Sequence, residues 1–192
     1  NPVSVIKNAL EPDRERIVTA VTLDAPVHFV KGDDEVLLRD ATREVVHALT
    51  GDLDVALAVE DVGRDRFAPS DGDASIVPLV DAAQTPPFLT ARRVVVGRDI
   101  EMFTRAEQGA PLVAYLADPL PTTSLVLVWS GGRVPKSLLD AIRACHGVQV
   151  DTSPGRKIAG WVDEQVAASG LRLDRAATER LVDAITKTTG KP

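Results

Sequence analysis

Five short apolar runs, rich in β-branched residues, recur along the chain, with helical stretches between most of them. The runs are Val27-His28-Phe29-Val30, Val55 to Val59, Val94-Val95-Val96, Leu125 to Trp129 and Val148 to Val150. A run as continuous as Leu125 to Trp129 suits a strand covered on both faces, which is the usual setting of a parallel sheet with helices on each side. The intervening stretches carry the complementary pattern. Val36, Leu37, Ala41, Val45, Ala48 and Leu49 fall on one helical stripe, and Gly51 stops it. Ile76 to Ala83 reads as a short helix ended by Thr85-Pro86-Pro87, because proline cannot continue a helix and drives its predecessor to extended geometry. Pro111 to Leu116 reads as a helix with Pro111 in its first turn. Leu138, Leu139, Ile142 and Cys145 mark a further helix face, stopped by Gly147. Asp61 to Asp73 reads as a polar loop. Strands alternating with helices predict an α/β architecture, a mostly parallel sheet flanked by helices.

Beyond residue 155 the pattern becomes helical only. Ile158, Trp161, Val162, Gln165 and Val166 line one helix ended by Gly170, and Asp174 caps a second with Ala177, Leu181 and Ile185 inward. The change falls on the turn-rich Asp151-Thr152-Ser153-Pro154-Gly155. The expected layout is an N-terminal extension over 1–24, an α/β domain over 25–152 and a small helical domain over 153–192. The first residue is Asn1 and the last three are Gly190-Lys191-Pro192, so the chain reads as a piece of a longer protein.

Charge changes at the same place. Residues 1–151 carry a net −8 and residues 152–192 a net +2, which together make −6. An acidic main domain argues against a stand-alone nucleic-acid grip, and 4% aromatic residues argue against a stacking platform for single strands. One cysteine excludes an internal disulfide framework and a cysteine-based zinc site. The chain has no run of 18 apolar residues, so no membrane-spanning helix is expected.

The turn after the first strand is where a phosphate-binding loop would sit. That chemistry needs G-x-x-x-x-G-K-[ST], with backbone amides cradling phosphates, a lysine reaching the terminal ones and a hydroxyl on magnesium. This chain has Lys31-Gly32-Asp33-Asp34-Glu35. Only Gly32 remains of the pattern, and three carboxylates occupy the helix start. They complement the helix dipole themselves and repel polyphosphate. At about 5 Å and an effective dielectric near 20, each such pair costs about 3 kcal/mol. The bland account of Asp33, Asp34 and Glu35 is a helix start with ordinary capping acids. A second account makes Asp33 and Asp34 a magnesium site, with Asp99 after the third strand as phosphoacceptor, as in a receiver domain.

Other chemistry is sparse. His28 lies in an apolar run and reads as a packed core histidine. His47 sits on a helix, on its polar side. Cys145 falls on an apolar stripe, and its neighbour His146 would point about 100° away on a helix, so the two do not form a pair. Ser130-Gly131-Gly132 either binds an anion through backbone amides or is a tight strand-to-helix turn. Thr85-Pro86-Pro87-Phe88-Leu89-Thr90 sets two large apolar residues behind a rigid double proline. Either the loop presents Phe88 and Leu89 to a partner, or both fold back over the core.

Several blocks stand in a telling order. They are Val27 to Leu38, Thr85 to Asp99, Leu125 to Trp129, and Trp161-Val162-Asp163-Glu164-Gln165 through Leu171-Arg172-Leu173-Asp174. Over about residues 25–190 the set resembles the N-terminal part of the delta subunit of the bacterial DNA polymerase III clamp loader, in an actinobacterial form. The resemblance implies an ATPase-like fold that has lost its nucleotide site, with Gly32, Asp33, Asp34 and Glu35 at the degenerate phosphate loop. It implies a non-catalytic subunit without cofactor or metal, working in the cytoplasm inside the replicative polymerase assembly. Its partners would be the sliding clamp, the other clamp-loader subunits and, through the assembled complex, DNA. Clamp contact would fall on Pro86, Pro87, Phe88 and Leu89. The family pattern is often Ser-Leu-Phe after Thr-Pro, so Phe88 takes the aromatic place and either Pro87 or Leu89 takes that of the leucine. Residues 153–192 would be the lid, and the collar domain lies outside this sequence. Against this stand the receiver-like domain built on Asp33, Asp34 and Asp99, and an interaction domain with a partner other than the clamp.

Overall fold

The computed structural model describes residues 22–68 and 73–152. The expected lid, 153–192, lies outside the described residues, as does the expected N-terminal extension except for its last three residues. The described elements, in chain order, are β1 (Val27–Gly32), α1 (Glu35–Thr50), α2 (Val55–Ala58), β2 (Val59–Val62), α3 (Arg64–Phe67), α4 (Val77–Gln84), β3 (Arg93–Gly97), a 3-10 turn (Ile100–Met102), α5 (Ala106–Tyr115), β4 (Thr123–Ser130), α6 (Lys136–Ala144) and β5 (Val148–Asp151). Among them, no helix is long and apolar enough to cross a membrane.

The strands form one parallel sheet in the order β2-β3-β4-β1-β5. β4 lies between β3 and β1, and residues 123–129 are buried without interruption. That explains the continuous apolar run, because both faces of the strand are covered. On one face α1 packs with Leu38, Ala41, Val45 and Leu49 against Val30, Val96, Val126 and Val128. On the other, α4, α5 and α6 cover Phe29, Val95, Leu125 and Leu127 with Leu79, Leu112 and Ile142. Phe67 of α3 meets Phe103 edge-on at 5.2 Å in the same layer. Burial on this scale is the main stabilising term, about 1.5–3 kcal/mol for each fully buried large aliphatic or Phe side chain.

Two glycines are required by close approach. A Cβ on Gly97 would lie 2.6 Å from Leu79 Cδ2, and one on Gly147 would lie 2.8 Å from Ile142 Cγ2 and 2.9 Å from its carbonyl oxygen. β3 can therefore pass beneath α4, and the chain can turn from α6 into β5, only without a side chain there.

Three sequence-based expectations need correction. The strand expected at Val55 to Val59 begins only at Val59. Residues 55–58 form a helical turn instead, started by Asp54, whose Oδ1 accepts from Ala56 N at 2.9 Å. A good N-cap followed by Ala and Leu outweighs the strand preference of one valine. The polar loop expected from Asp61 is shorter than expected. β2 runs to Val62, and α3 follows with Phe67 fully buried. The acids hid this strand. It is an edge strand, and Glu60 pairs with Arg93 and Arg66 while Asp61 pairs with Arg98 at 2.7 Å. Finally, α5 starts at Ala106, so Pro111 lies inside the helix and not in its first turn.

Candidate functional site

At the carboxyl end of β1 the chain turns directly into α1. Asp34 holds extended geometry (φ −94°, ψ 117°), and its Oδ1 accepts from Val36 N and Leu37 N, each at 2.9 Å. The helix N-terminus, which in a phosphate-binding loop faces an anion, is thus already capped by the chain's own carboxylate. Glu35 is exposed in the first helical turn. Asp33 is exposed beside Gly131, where a Cβ would stand 3.7 Å from its Oδ1. Gly32 is buried, and its carbonyl accepts from Gly131 N at 2.9 Å. Gly131 and Gly132 take φ of +66° and +70°, the left-handed geometry that favours glycine, so Ser130-Gly131-Gly132 is a tight turn between β4 and the α6 segment.

Gly32, Asp33, Gly131 and Gly132 border an open cleft of about 470 Å³ between the ends of β1 and β4, lined also by Trp129, Arg133 and Lys136. Lys31, which lines it too, is paired with Asp151 at 2.7 Å. The chain there carries neither the second glycine nor the Gly-Lys-Ser/Thr of a phosphate-binding loop.

The receiver-like constellation is not assembled. Asp99 follows β3, whereas Asp33 and Asp34 follow β1, and β4 lies between those strands. Two strand spacings put the chains roughly 10 Å apart. Asp99 is also engaged elsewhere, its Oδ2 accepting from Arg64 N at 3.3 Å. Among the described residues no group of three His, Cys, Asp or Glu side chains is arranged to hold a metal ion.

The remaining titratable candidates separate as well. His28 is fully buried in β1, and burial, with the nearby charge of Arg92 adding to it, lowers its pKa to about 4. His47 is exposed in the last turn of α1. Cys145 ends α6, half-buried against the core, and burial pushes its thiol pKa up. His146 lies past the helix at φ +58°.

The Pro86–Leu89 segment lies at the other end of the sheet. Its base is pinned on both sides. Thr85 Oγ1 donates to Asp81 O at 2.7 Å at the end of α4. Past the tip, Thr90 Oγ1 donates to Arg92 O at 2.8 Å, and Arg92 Nη1 donates to Ser124 Oγ at 2.8 Å and to the Leu23 carbonyl. Arg93 N donates to Thr122 O at 3.0 Å, which starts β3 beside β4. Between the pins, Phe88 is 92% exposed and Leu89 68% exposed. Pro86 is exposed and Pro87 half-buried. Phe88 and Leu89 therefore do not fold back over the core. Leu89 is more open to solvent than Pro87.

No family model matches the chain, and no curated protein matches it in sequence. Solved structures do match it. The Bacillus subtilis DNA clamp loader delta protein aligns with a TM-score of 0.58 at 14% identity, covering 93% of this chain and 57% of that one. A DNA polymerase III gamma subunit-related protein from Thermotoga maritima aligns with a TM-score of 0.47 at 17% identity, covering 81% of this chain and 49% of that one. The chain thus spans 57% and 49% of the lengths of these two structures. The five-stranded parallel sheet with helices on both faces is a clamp-loader-like fold.

Proposed function

We propose that the chain is the N-terminal part of a non-catalytic clamp-loader subunit of the delta type, which binds the sliding clamp and helps to open it for loading onto primed DNA. The observation that carries this reading is the exposure of Phe88 and Leu89 on a loop fastened at both ends, in a clamp-loader-like fold. A soluble domain gains nothing in its own folding from a phenylalanine left 92% exposed. A partner that buries both side chains gains roughly 3–6 kcal/mol. The rigid Pro86-Pro87 entry reduces the ordering cost of that contact. The self-capped start of α1 agrees with a subunit that does not use ATP and leaves that role to others in the complex. On this reading the domain over 25–152 holds the clamp contact and 153–192 is the lid. The other clamp-loader subunits are its neighbours in the cytoplasm, and DNA is met only through the assembled complex.

The test is calorimetric titration of the cognate sliding clamp with the chain and with its Phe88→Ala/Leu89→Ala form. Binding is expected for the first and a loss of at least about 100-fold for the second, with the same circular dichroism spectrum. Equal binding by the two proteins would overturn the assignment of the contact.

A further inference from the structure

Seven large apolar side chains are exposed among the described residues: Leu23, Val36, Val55, Leu57, Val77, Phe88 and Leu89. They are not scattered. Val36 and Val77 belong to the first turns of α1 and α4. The other five all lie on segments entering the amino ends of strands: Leu23 before β1, Val55 and Leu57 before β2, Phe88 and Leu89 before β3. In a parallel sheet those amino ends share one edge. The register pairs Val59 with Val94, so α2 and the Phe88 loop run into neighbouring strands about 5 Å apart. The Arg92 guanidinium ties the same loop to the Leu23 carbonyl and to Ser124 at the start of β4.

α2 is anomalous in its own right. It is a single turn with Val55 56% and Leu57 54% exposed, and of its four residues only Ala58 is buried. Ordinary folding would place an amphipathic turn the other way round, with its large side chains inward. Among the described residues, the fully exposed charges on these connecting loops have one sign. Asp24, Asp52, Asp54 and Asp118 are exposed there. The two arginines of the 85–93 segment are engaged within the fold, Arg92 as above and Arg93 with Glu60.

We propose that the amino-end edge of the sheet is one continuous docking surface, in which Val55 and Leu57 form a second anchor beside Phe88 and Leu89. Its partner is a folded protein offering an apolar groove with basic side chains along the rim. The inference rests on the clamp-binding reading above and deepens it, assigning to that contact residues about 30 positions away in the sequence and an electrostatic rim. Large single-signed rims act mainly on association and its salt dependence, whereas desolvated apolar anchors act on dissociation.

The experiment titrates the cognate sliding clamp with four proteins: the unaltered chain, Val55→Ser/Leu57→Ser, Asp52→Asn/Asp54→Asn, and Phe88→Ala/Leu89→Ala. Asparagine at 54 keeps the helix cap. The Val55/Leu57 pair is expected to weaken binding about tenfold, with an unchanged melting midpoint. The Asp52/Asp54 pair is expected to weaken it a few-fold at low salt and to flatten the salt dependence. Should the double serine form melt early, Leu57→Gln alone carries the test, with the same sign expected. Wild-type affinity in the Val55/Leu57 variant, alongside loss in the Phe88/Leu89 variant, overturns this inference and leaves the clamp reading standing. Wild-type affinity in both overturns the two together. Tighter binding by the Asp52/Asp54 variant overturns the basic rim assigned to the partner.

Discussion

The two ends of the sheet have been treated differently. At the carboxyl ends, where an open α/β sheet normally receives its ligand, several polar groups are satisfied within the fold. Asp34 caps α1, Lys31 is paired with Asp151, and Gly131 donates to Gly32. At the amino ends large apolar side chains are left to solvent, Phe88 above all. The contrast teaches that one end of the sheet satisfies its polar groups within the fold while the other leaves apolar surface uncovered, and on the proposed reading that uncovered surface is the partner contact. If that reading holds, stability and recognition reside in different residues, and each can be altered without the other.

The largest effect that would break this contrast is on binding. On the proposed reading, Phe88→Ala/Leu89→Ala should lose the roughly 3–6 kcal/mol that burial of the pair would contribute to the complex, while the unfolding free energy of the isolated protein from urea titration stays within about 0.5 kcal/mol of its parent. A matching loss of stability would show that the loop serves the fold after all.

Next comes the acid sensitivity of the interior. His28 has an ordinary pKa of 6.5 and a folded value lowered to about 4 by burial. Because the folded value is depressed, its share of stability is complete above about pH 6.5 and declines as pH falls towards 4. The unfolded chain binds the proton more readily in that window. The shift corresponds to roughly 3 kcal/mol. Urea unfolding at pH 7 and pH 4 should show this fall, and His28→Leu should remove a large part of it. An equal fall in both proteins would mean that other groups carry the acid response.

Gly97→Ala probes the layer beneath α4. Its Cβ would collide with Leu79, so a loss of about 1–3 kcal/mol is expected from thermal melts. On the proposed reading, clamp affinity measured below the melting range should be unaffected. The smallest effect belongs to the turn between β1 and α1. Asp34→Ala removes a cap bonded to Val36 N and Leu37 N and should cost about 1 kcal/mol, with Asp34→Asn close to the parent. A cost near zero for alanine would show that the carboxylate is not what closes the helix end.

Much of this fold is legible in one dimension, for identifiable reasons. β4 announces itself because a strand between two others, covered on both faces, has no room for a polar residue from 125 to 129. α1 announces itself through its apolar stripe and the acids at its start. β2 does not, because an edge strand can carry Glu60 and Asp61 when Arg93, Arg66 and Arg98 neutralise them, and those partners are scattered in sequence. Val55 was misleading because strand preference is local, whereas the Asp54 cap that turns it into a helix start is also local and stronger. The missing phosphate loop could be read directly, since that chemistry demands particular residues at fixed spacing. The Phe88-Leu89 pair could be noticed but not oriented, because a proline-stiffened loop can project outward or fold back with equal ease until its base is fixed by Arg92, Ser124 and Leu23.

The amino-acid order by itself determined that this chain forms strands between helices, where most of them lie, and that its first turn lacks the phosphate-loop motif. These follow from patterns within a few residues: periodicity, capping and the presence or absence of a motif. Only the tertiary structure decided that Leu23, Val55, Leu57, Phe88 and Leu89 share one edge, and that Asp33 and Asp99 do not share a site. Both outcomes depend on the strand order β2-β3-β4-β1-β5. That order is set by which apolar faces pack together across the whole domain, and no local stretch of sequence carries it.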